Sequence, residues 1–372
     1  MSENKKKICH MTSAHNQDDD RIFYKECISL AKAGYDTYLI AKGETSERDG
    51  VHIIGMGQPP NCRLSRMMIF TKKVYQKAVE LDADIYHLHD PELLPFAMKL
   101  KKRGKKVIFD SHEFYALQIL EKGYIPSSLR TSIAKLYSLH EKKVFKKIDA
   151  VIFPCAYCGE NYFSEIANRS VLVANYAIQH EFFDRYDAEA LKENYVCYVG
   201  GLTYDRGITH TIQAAGKANV RLVLAGNYSP KRYRDEVRKL PEFCVVDERG
   251  FVSRDEVVEI CGNAFAGMCI LLNVGQYNKL DTFGVKVYEY MAMGIPVILS
   301  DSDYARRVMK TYKFGILVDS NDVDTIADAI SYLRRNPDEA RRMGQNGRSA
   351  VAQEFNWETQ EKVLCELYES LS

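Results

Sequence analysis

No uninterrupted apolar run in the 372-residue chain approaches the roughly 18 residues that a membrane-spanning helix requires. The start, MSENKKKICHMTS, lacks the apolar stretch of a secretory signal, so a soluble, cytosolic protein is expected. An excess of one charge sign is also missing: 51 basic residues face 50 acidic ones, a net charge of +1 without the global signature of nucleic-acid binding. A disulfide framework is missing too. Ten cysteines are scattered along the chain, several inside apolar segments (Cys9, Cys197, Cys269), as reduced core residues would be. Cys155 and Cys158 form one isolated CxxC with no second pair and no histidine pair at zinc spacing, which favours a structural role. Low-complexity segments and short repeats are absent, and tryptophan occurs once, at Trp357.

What is present is a repeating alternation. The length exceeds the roughly 250 to 300 residues at which single cores stop growing, so two domains are expected. Short apolar runs such as KKICHMT, DIYHLH and KKVIFDS alternate with amphipathic stretches, and the pattern restarts at NYVCYVGG. Strand and helix repeated in this way predict α/β architecture: two doubly wound, Rossmann-like domains with a cleft between them. The expected boundaries are 1–177 for the first domain, 178–193 for a polar linker, 194–355 for the second domain, and 356–372 for a final amphipathic helix that packs back on the first domain. Residues 1–177 carry 27 basic and 21 acidic residues, or +6, which leaves −5 for the rest. Two basic clusters in the first part, KLKKRGKKV (99–107) and EKKVFKK (141–147), suit contact with an anionic membrane surface or an ordinary solvated face.

Ligands of open α/β sheets bind outside the carboxyl ends of the strands, and the chemistry-bearing motifs fall there. YVGGLTYDRGI places Gly200 and Gly201 after a strand and Arg206 just before a helix. Glycines admit close approach of backbone N–H groups, a helix start favours an anion, and an arginine can fork onto phosphate oxygens, which fits a diphosphate. The full G-x-G-x-x-G fingerprint of dinucleotide binding is missing. In DTFGVKVYEYMAMGIPV, Gly284 opens a helix, Glu289 lies within it, Gly294 caps it and Asp281 precedes it. A carboxylate at Glu289 can accept two hydrogen bonds from a vicinal diol such as a ribose. The alternative is a dipole-favoured acid at Asp281 and a surface pair between Lys286 and Glu289. In YHLHDPE, alternation puts His87 and His89 on one face of a strand, Asp90 suits helix capping, and His89 either faces the cleft on the acceptor side or packs in the core; no metal is assigned. Asp18, Asp19 and Asp20 read as a loop and N-cap ahead of Arg21, which is an acceptor-site candidate.

The Asp281–Val297 segment resembles the E-x7-E region of family-4 glycosyltransferases, retaining enzymes of the two-domain GT-B fold. The resemblance extends over nearly the whole chain, and its N-terminal part is closest to a bacterial polysaccharide branch through HMTSAHNQDDDRIFYKECISLAKAGYDTYLIA and YHLHDPELLP. It implies that Glu289 holds the ribose of a nucleotide sugar, that Asp281 contacts the donor sugar, and that the Phe283 and Gly284 backbone lies beside sugar and phosphates. Gly200, Gly201, Arg206 and Lys286 would meet the diphosphate, while Gly226, Phe251 and Val252, in LVLAG and DERGFVSRDEV, would frame the base. His112, in KKVIFDSHEFY, would face the donor sugar, with Glu113 adjacent as an acceptor-side candidate. Gly201 stands where many members have an arginine, Arg206 replaces the usual lysine, and Asp281 is one methylene shorter than the common glutamate. The activity implied is metal-independent transfer with retention, by front-face attack of a hydroxyl on a glycan or lipid-linked acceptor; no cofactor is expected beyond the nucleotide-sugar co-substrate. A nucleotide-sugar 2-epimerase of the same fold and a catalytically silent sugar-nucleotide-binding subunit are the competing readings.

Overall fold

The computed structural model describes residues 5–60, 62, 65–123, 125–187, 192–276 and 279–371. The chain divides into two compact units, Met1–Asn175 with Thr359–Ser372, and Tyr176–Glu358. The stretch expected as a linker departs from that expectation. Of its described part, the helix Gln179–Phe183 belongs to the second unit and buries Phe182 in that unit's core. An apolar aromatic within a polar stretch is what anchors it.

The first unit is built on eight strands: β1 (Lys7–Asn16), β2 (Asp36–Lys42), β3 (Ser46–Arg48), β4 (Val51–Gly55), β5 (Ile85–Leu88), β6 (Lys106–Asp110), β7 (Ala150–Phe153) and β8 (Ser170–Leu172). Their order is β3-β4-β2-β1-β5-β6-β7-β8, parallel except for the antiparallel edge pair β3/β4. All four residues of β5 and of β7 are buried, as expected where helices cover both faces of a parallel sheet. The register sets His10 of β1 opposite His87 of β5. From Thr359 the last helix, Trp357–Leu371, counts with this unit, and Tyr368 is fully buried within it.

The second unit has six parallel strands: β9 (Tyr195–Val199), β10 (Arg221–Ala225), β11 (Val246–Gly250), β12 (Ala266–Cys269), β13 (Val297–Ser300) and β14 (Gly315–Val318). Their order, β11-β10-β9-β12-β13-β14, reverses between β9 and β12, the switch point at which doubly wound sheets bind ligands. All ten cysteines are free, and Cys9, Cys197 and Cys269 are buried as expected. Among the described residues no helix is long and apolar enough to cross a membrane.

One buried acid has a testable consequence. Glu141, on the helix Ser127–Phe145, is 1% exposed, and neither carboxylate oxygen has a hydrogen-bond partner of good geometry. Burial pushes its pKa up to about 8. Above the ordinary value near 4.5 the unfolded chain releases this proton while the folded chain keeps it, so stability falls as pH rises toward 8. Glu141→Gln is expected to stabilise the first unit at pH 7 by on the order of 2 to 3 kcal/mol, with the gain vanishing below about pH 4.5. Chemical denaturation at the two pH values checks this.

Candidate functional site

At the carboxyl end of β9 the chain turns through Gly200, whose φ is 132°, beside Gly226, whose φ is 141°. A Cβ on Gly226 would lie 1.8 Å from the Gly200 carbonyl oxygen, so the two loops can meet only with glycine there. The same turn is hemmed by two cations. A Cβ on Gly201 would be 3.0 Å from Arg206 Nη1, and one on Gly200 would be 3.1 Å from Lys286 Cε. Lys286 Nζ also sits 4.7 Å from the centre of the Tyr198 ring. Both positive charges are felt by Cys269, at the end of β12: burial raises its pKa while Lys286 and Arg206 pull it back. The structure thus brings Gly200, Gly201, Arg206 and Lys286 together at the switch point.

Lys286 stands in the first turn of the helix Val285–Ala292, with Gly284 at its N-cap and Gly294 beyond its end at a φ of 64°. A helix start next to two cations concentrates positive potential on the glycine turn. Glu289, on the same helix, is buried. Its partner is not Lys286 but Arg254, whose Nη1 donates to Oε1 at 2.5 Å while Nε and Nη2 reach Glu181. Asp281 accepts from Arg307 Nη2 at 2.7 Å. The Phe283 side chain packs among Tyr288, Tyr304 and Phe314, its N–H donates to the Tyr288 hydroxyl at 3.1 Å, and its carbonyl accepts from Thr282 Oγ1 at 3.0 Å. Phe251 is 81% exposed after β11, a flat aromatic face open to stacking, and Val252 packs against the core.

Arg254 and Arg307 escaped the sequence reading. Arg254 had a usable marker in SRDE, where Ser253 and Glu256 form a capping box that starts the helix Arg254–Asn263. Arg307 reaches Asp281 from a separate helix, Asp303–Tyr312, and carries no local marker.

In the first unit His112 follows β6, and its Nε2 lies 3.2 Å from Asp110 Oδ2 and 3.2 Å from His89 Nδ1. Asp110 is fully buried and accepts a forked pair from Arg21, Nε at 2.7 Å and Nη2 at 3.0 Å. Arg21 Nη1 donates to the Val173 carbonyl at 2.9 Å. Burial works against the charge on Asp110, but Arg21, His112 and His89 together hold its carboxyl well below the usual carboxylate range. The expected acceptor roles of Arg21 and His89 are corrected by this arrangement: Arg21 is 4% exposed and its guanidinium is committed, and His89 is fully buried. Glu113 remains exposed beside His112.

Asp90 is also corrected. It makes no side-chain cap; its Oδ2 accepts from Thr12 Oγ1 at 2.9 Å and from the Ser13 and Ala14 N–H groups, tying down the end of β1. Asp19 does cap the π-helical turn Asp20–Cys27, through the Arg21 and Ile22 N–H groups, and it binds His15 Nδ1 at 2.7 Å. Burial disfavours the His15 charge, yet Asp19 and Asp90 raise its pKa above the ordinary value. Behind His89 lie His10, Glu26 and His87, all fully buried. Burial pushes the imidazoles of His10 and His87 well down and that of His89 down to about 4, and it pushes the Glu26 carboxyl well up.

Two family models cover most of this chain. Residues 21–174 match "Glycosyltransferase Family 4" and residues 180–350 match "Glycosyl transferases group 1". The chain belongs to the glycosyltransferases. It shares the GT-B fold with sucrose-phosphate synthase of Thermosynechococcus elongatus, at a TM-score of 0.78 and 18% identity over 99% of both chains. Anabaena HepE, solved in complex with UDP and glucose, aligns at 0.71 and 14% identity over 98% of this chain and all of that one. A GDP-mannose-dependent alpha-(1-6)-phosphatidylinositol monomannoside mannosyltransferase of Mycobacterium tuberculosis is 32% identical over 133 residues. That match covers 34% of each chain, so this glycosyltransferase aligns with about a third of the curated relative's length.

Proposed function

We propose that this glycosyltransferase transfers a hexose, with retention and without a catalytic metal, from a nucleotide-diphosphate sugar to a hydroxyl of a glycan or lipid-linked acceptor. The observation that carries this reading is the convergence of Arg206 and Lys286 on the Gly200–Gly201 turn beside the start of the helix Val285–Ala292. Departure of a nucleoside diphosphate builds negative charge on its phosphate oxygens, and fixed cations and backbone N–H groups stabilise that charge most where it develops. In this reading Glu289, held by Arg254, accepts the ribose hydroxyls, Asp281 meets the sugar, Phe251 stacks on the base, and His112 binds a sugar hydroxyl with its ring held by Asp110. The acceptor hydroxyl attacks on the face from which the diphosphate departs, and a departing phosphate oxygen takes its proton.

The named mannosyltransferase uses GDP-mannose and the HepE structure holds UDP, so both bases belong in the test. A thermal-shift panel of UDP, GDP and their sugar conjugates is expected to show one base stabilising the second unit. Mass spectrometry of donor and acceptor mixtures should then show a transferred hexose. Stabilisation by none of the nucleotides would remove the donor-site assignment. Hexose epimerised without an acceptor would favour the 2-epimerase reading.

A cytoplasmic enzyme of cell-surface polysaccharide synthesis, working at the inner membrane face, completes the reading, and one helix supports it. Ser127–Phe145 exposes Leu129, Ile133 and Leu136 at i, i+4 and i+7, with Leu136 68% exposed, and Leu139 follows. Lys142 and Lys143 lie in its last turn, and Lys146 and Lys147 follow. An apolar stripe flanked by lysines fits an anionic bilayer. Leu136→Glu/Leu139→Glu is expected to weaken binding to phosphatidylglycerol vesicles about tenfold or more in co-sedimentation, since each buried leucine contributes roughly 1.5 to 3 kcal/mol. Nucleotide binding should be unchanged.

A further inference from the structure

The buried cluster at the centre of the first unit has ligand chemistry that the transfer reaction does not use. His10 comes from β1, His87 and His89 from β5, and Glu26 from the helical turn Asp20–Cys27. Each offers a ligand atom, and those four atoms lie within 4.8 Å of one another. Glu26 Oε2 is 3.9 Å from His10 Nδ1, 3.7 Å from His87 Nδ1 and 3.9 Å from His89 Nε2, and His10 Nδ1 is 2.9 Å from His89 Nε2. In a tetrahedral zinc site with bonds near 2.0 to 2.1 Å the ligand atoms stand about 3.3 Å apart, and these separations bracket that value.

A second observation points the same way. Both Glu26 oxygens and His87 Nε2 are buried without a hydrogen-bond partner of good geometry, although Arg21 Nε stands 3.1 Å from Oε1. Buried polar atoms without partners are rare, because each forfeits its hydration for nothing in return. A dication coordinated by Oε2 and three imidazoles would supply the partner that Glu26 Oε2 lacks. The surroundings resemble an outer shell: His89 Nδ1 lies 3.5 Å from Asp110 and 3.2 Å from His112, and the Tyr368 hydroxyl is 3.4 Å from His10 Nε2, while on His87 an ion would take the place of Tyr368 at Nδ1. Carboxylates placed behind ligating histidines fix the tautomer and orient the ring.

We propose that His10, Glu26, His87 and His89 bind a structural divalent ion of the zinc type. The ion joins β1, β5 and the Asp20–Cys27 turn, and it holds His89 with its Nδ1 proton toward Asp110, which sets the position of His112. It is separate from the diphosphate chemistry, and its test does not depend on nucleotide binding.

The full-length protein is produced in zinc-supplemented medium for elemental analysis, and a second sample is refolded with cobalt(II) so that a closed site can fill. About one zinc per chain is expected, with visible cobalt absorption of tetrahedral intensity. Glu26→Gln and, separately, His10→Ala should each lower metal affinity roughly tenfold or more. A wild-type protein that neither retains zinc nor develops the cobalt spectrum would overturn the proposal without recourse to any variant. Stoichiometric metal retained with unchanged affinity in both variants would overturn the assignment of these four ligands.

Discussion

Lys286→Ala is expected to lower kcat/KM for the nucleotide sugar about a hundredfold to a thousandfold while the second unit keeps its melting temperature. The ammonium group lies beside the glycine turn at the switch point, next to Arg206. If it meets the leaving diphosphate, its removal costs what loss of one preorganised stabiliser of transition-state charge costs elsewhere, about 3 to 4 kcal/mol. The effect should fall mainly on kcat, because charge grows on the phosphate oxygens as the bond to the sugar breaks. Arg206→Ala should behave alike, and the double variant should lose less than the two effects together, since the cations share one target. A rise in KM alone would mean that Lys286 only helps to bind the ground state. Unchanged kinetics would remove it from the site.

Arg21→Met is expected to destabilise the first unit by about 3 to 5 kcal/mol, because removing one partner of a buried ion pair strands the other. Arg21 Nε lies 2.7 Å from Asp110 and 3.1 Å from Glu26, and both carboxyls are fully buried. The sign of the pH dependence follows from Asp110. Its folded pKa is depressed, so in the wild type it contributes stability above its ordinary value near 3.8, and this is lost as pH falls through the folded value. Without Arg21 the same carboxyl is raised by burial, so the variant's deficit should be largest at neutral pH and shrink as pH approaches 4. Denaturation curves at pH 7 and pH 4.5 test both size and sign. A stable Arg21→Met protein with a raised KM for acceptor would restore the acceptor role that burial argues against.

The parts of the site that could be read in the sequence are those fixed by local geometry. Gly200 and Gly201 follow a strand, Arg206 precedes a helix, and Gly284, Lys286, Glu289 and Gly294 lie on or at the ends of one helix, so spacing alone places them. What could not be read depends on parallel pairing between distant segments. His10 meets His87 because β1 and β5 are aligned in that register, and Glu26 reaches them from a helical turn, so no spacing announces the cluster. Arg254 and Arg307 hold Glu289 and Asp281 from other helices for the same reason. The sequence around Arg21 shows three preceding aspartates but not the buried carboxyl that takes its guanidinium. Its partner Asp110 is on β6, out of reach of any local argument.

The last segment of the first unit is made last. Between Asn175 and Thr359 the nascent polypeptide must synthesise an entire second unit before the helix bearing Tyr368 exists. Until then His87 lacks its hydroxyl partner, and the Ala174 N–H lacks the Gln360 side chain that accepts from it at 2.8 Å. Translation therefore leaves the half that emerges first waiting for its final helix, while the half that follows is one continuous stretch and can mature ahead of it.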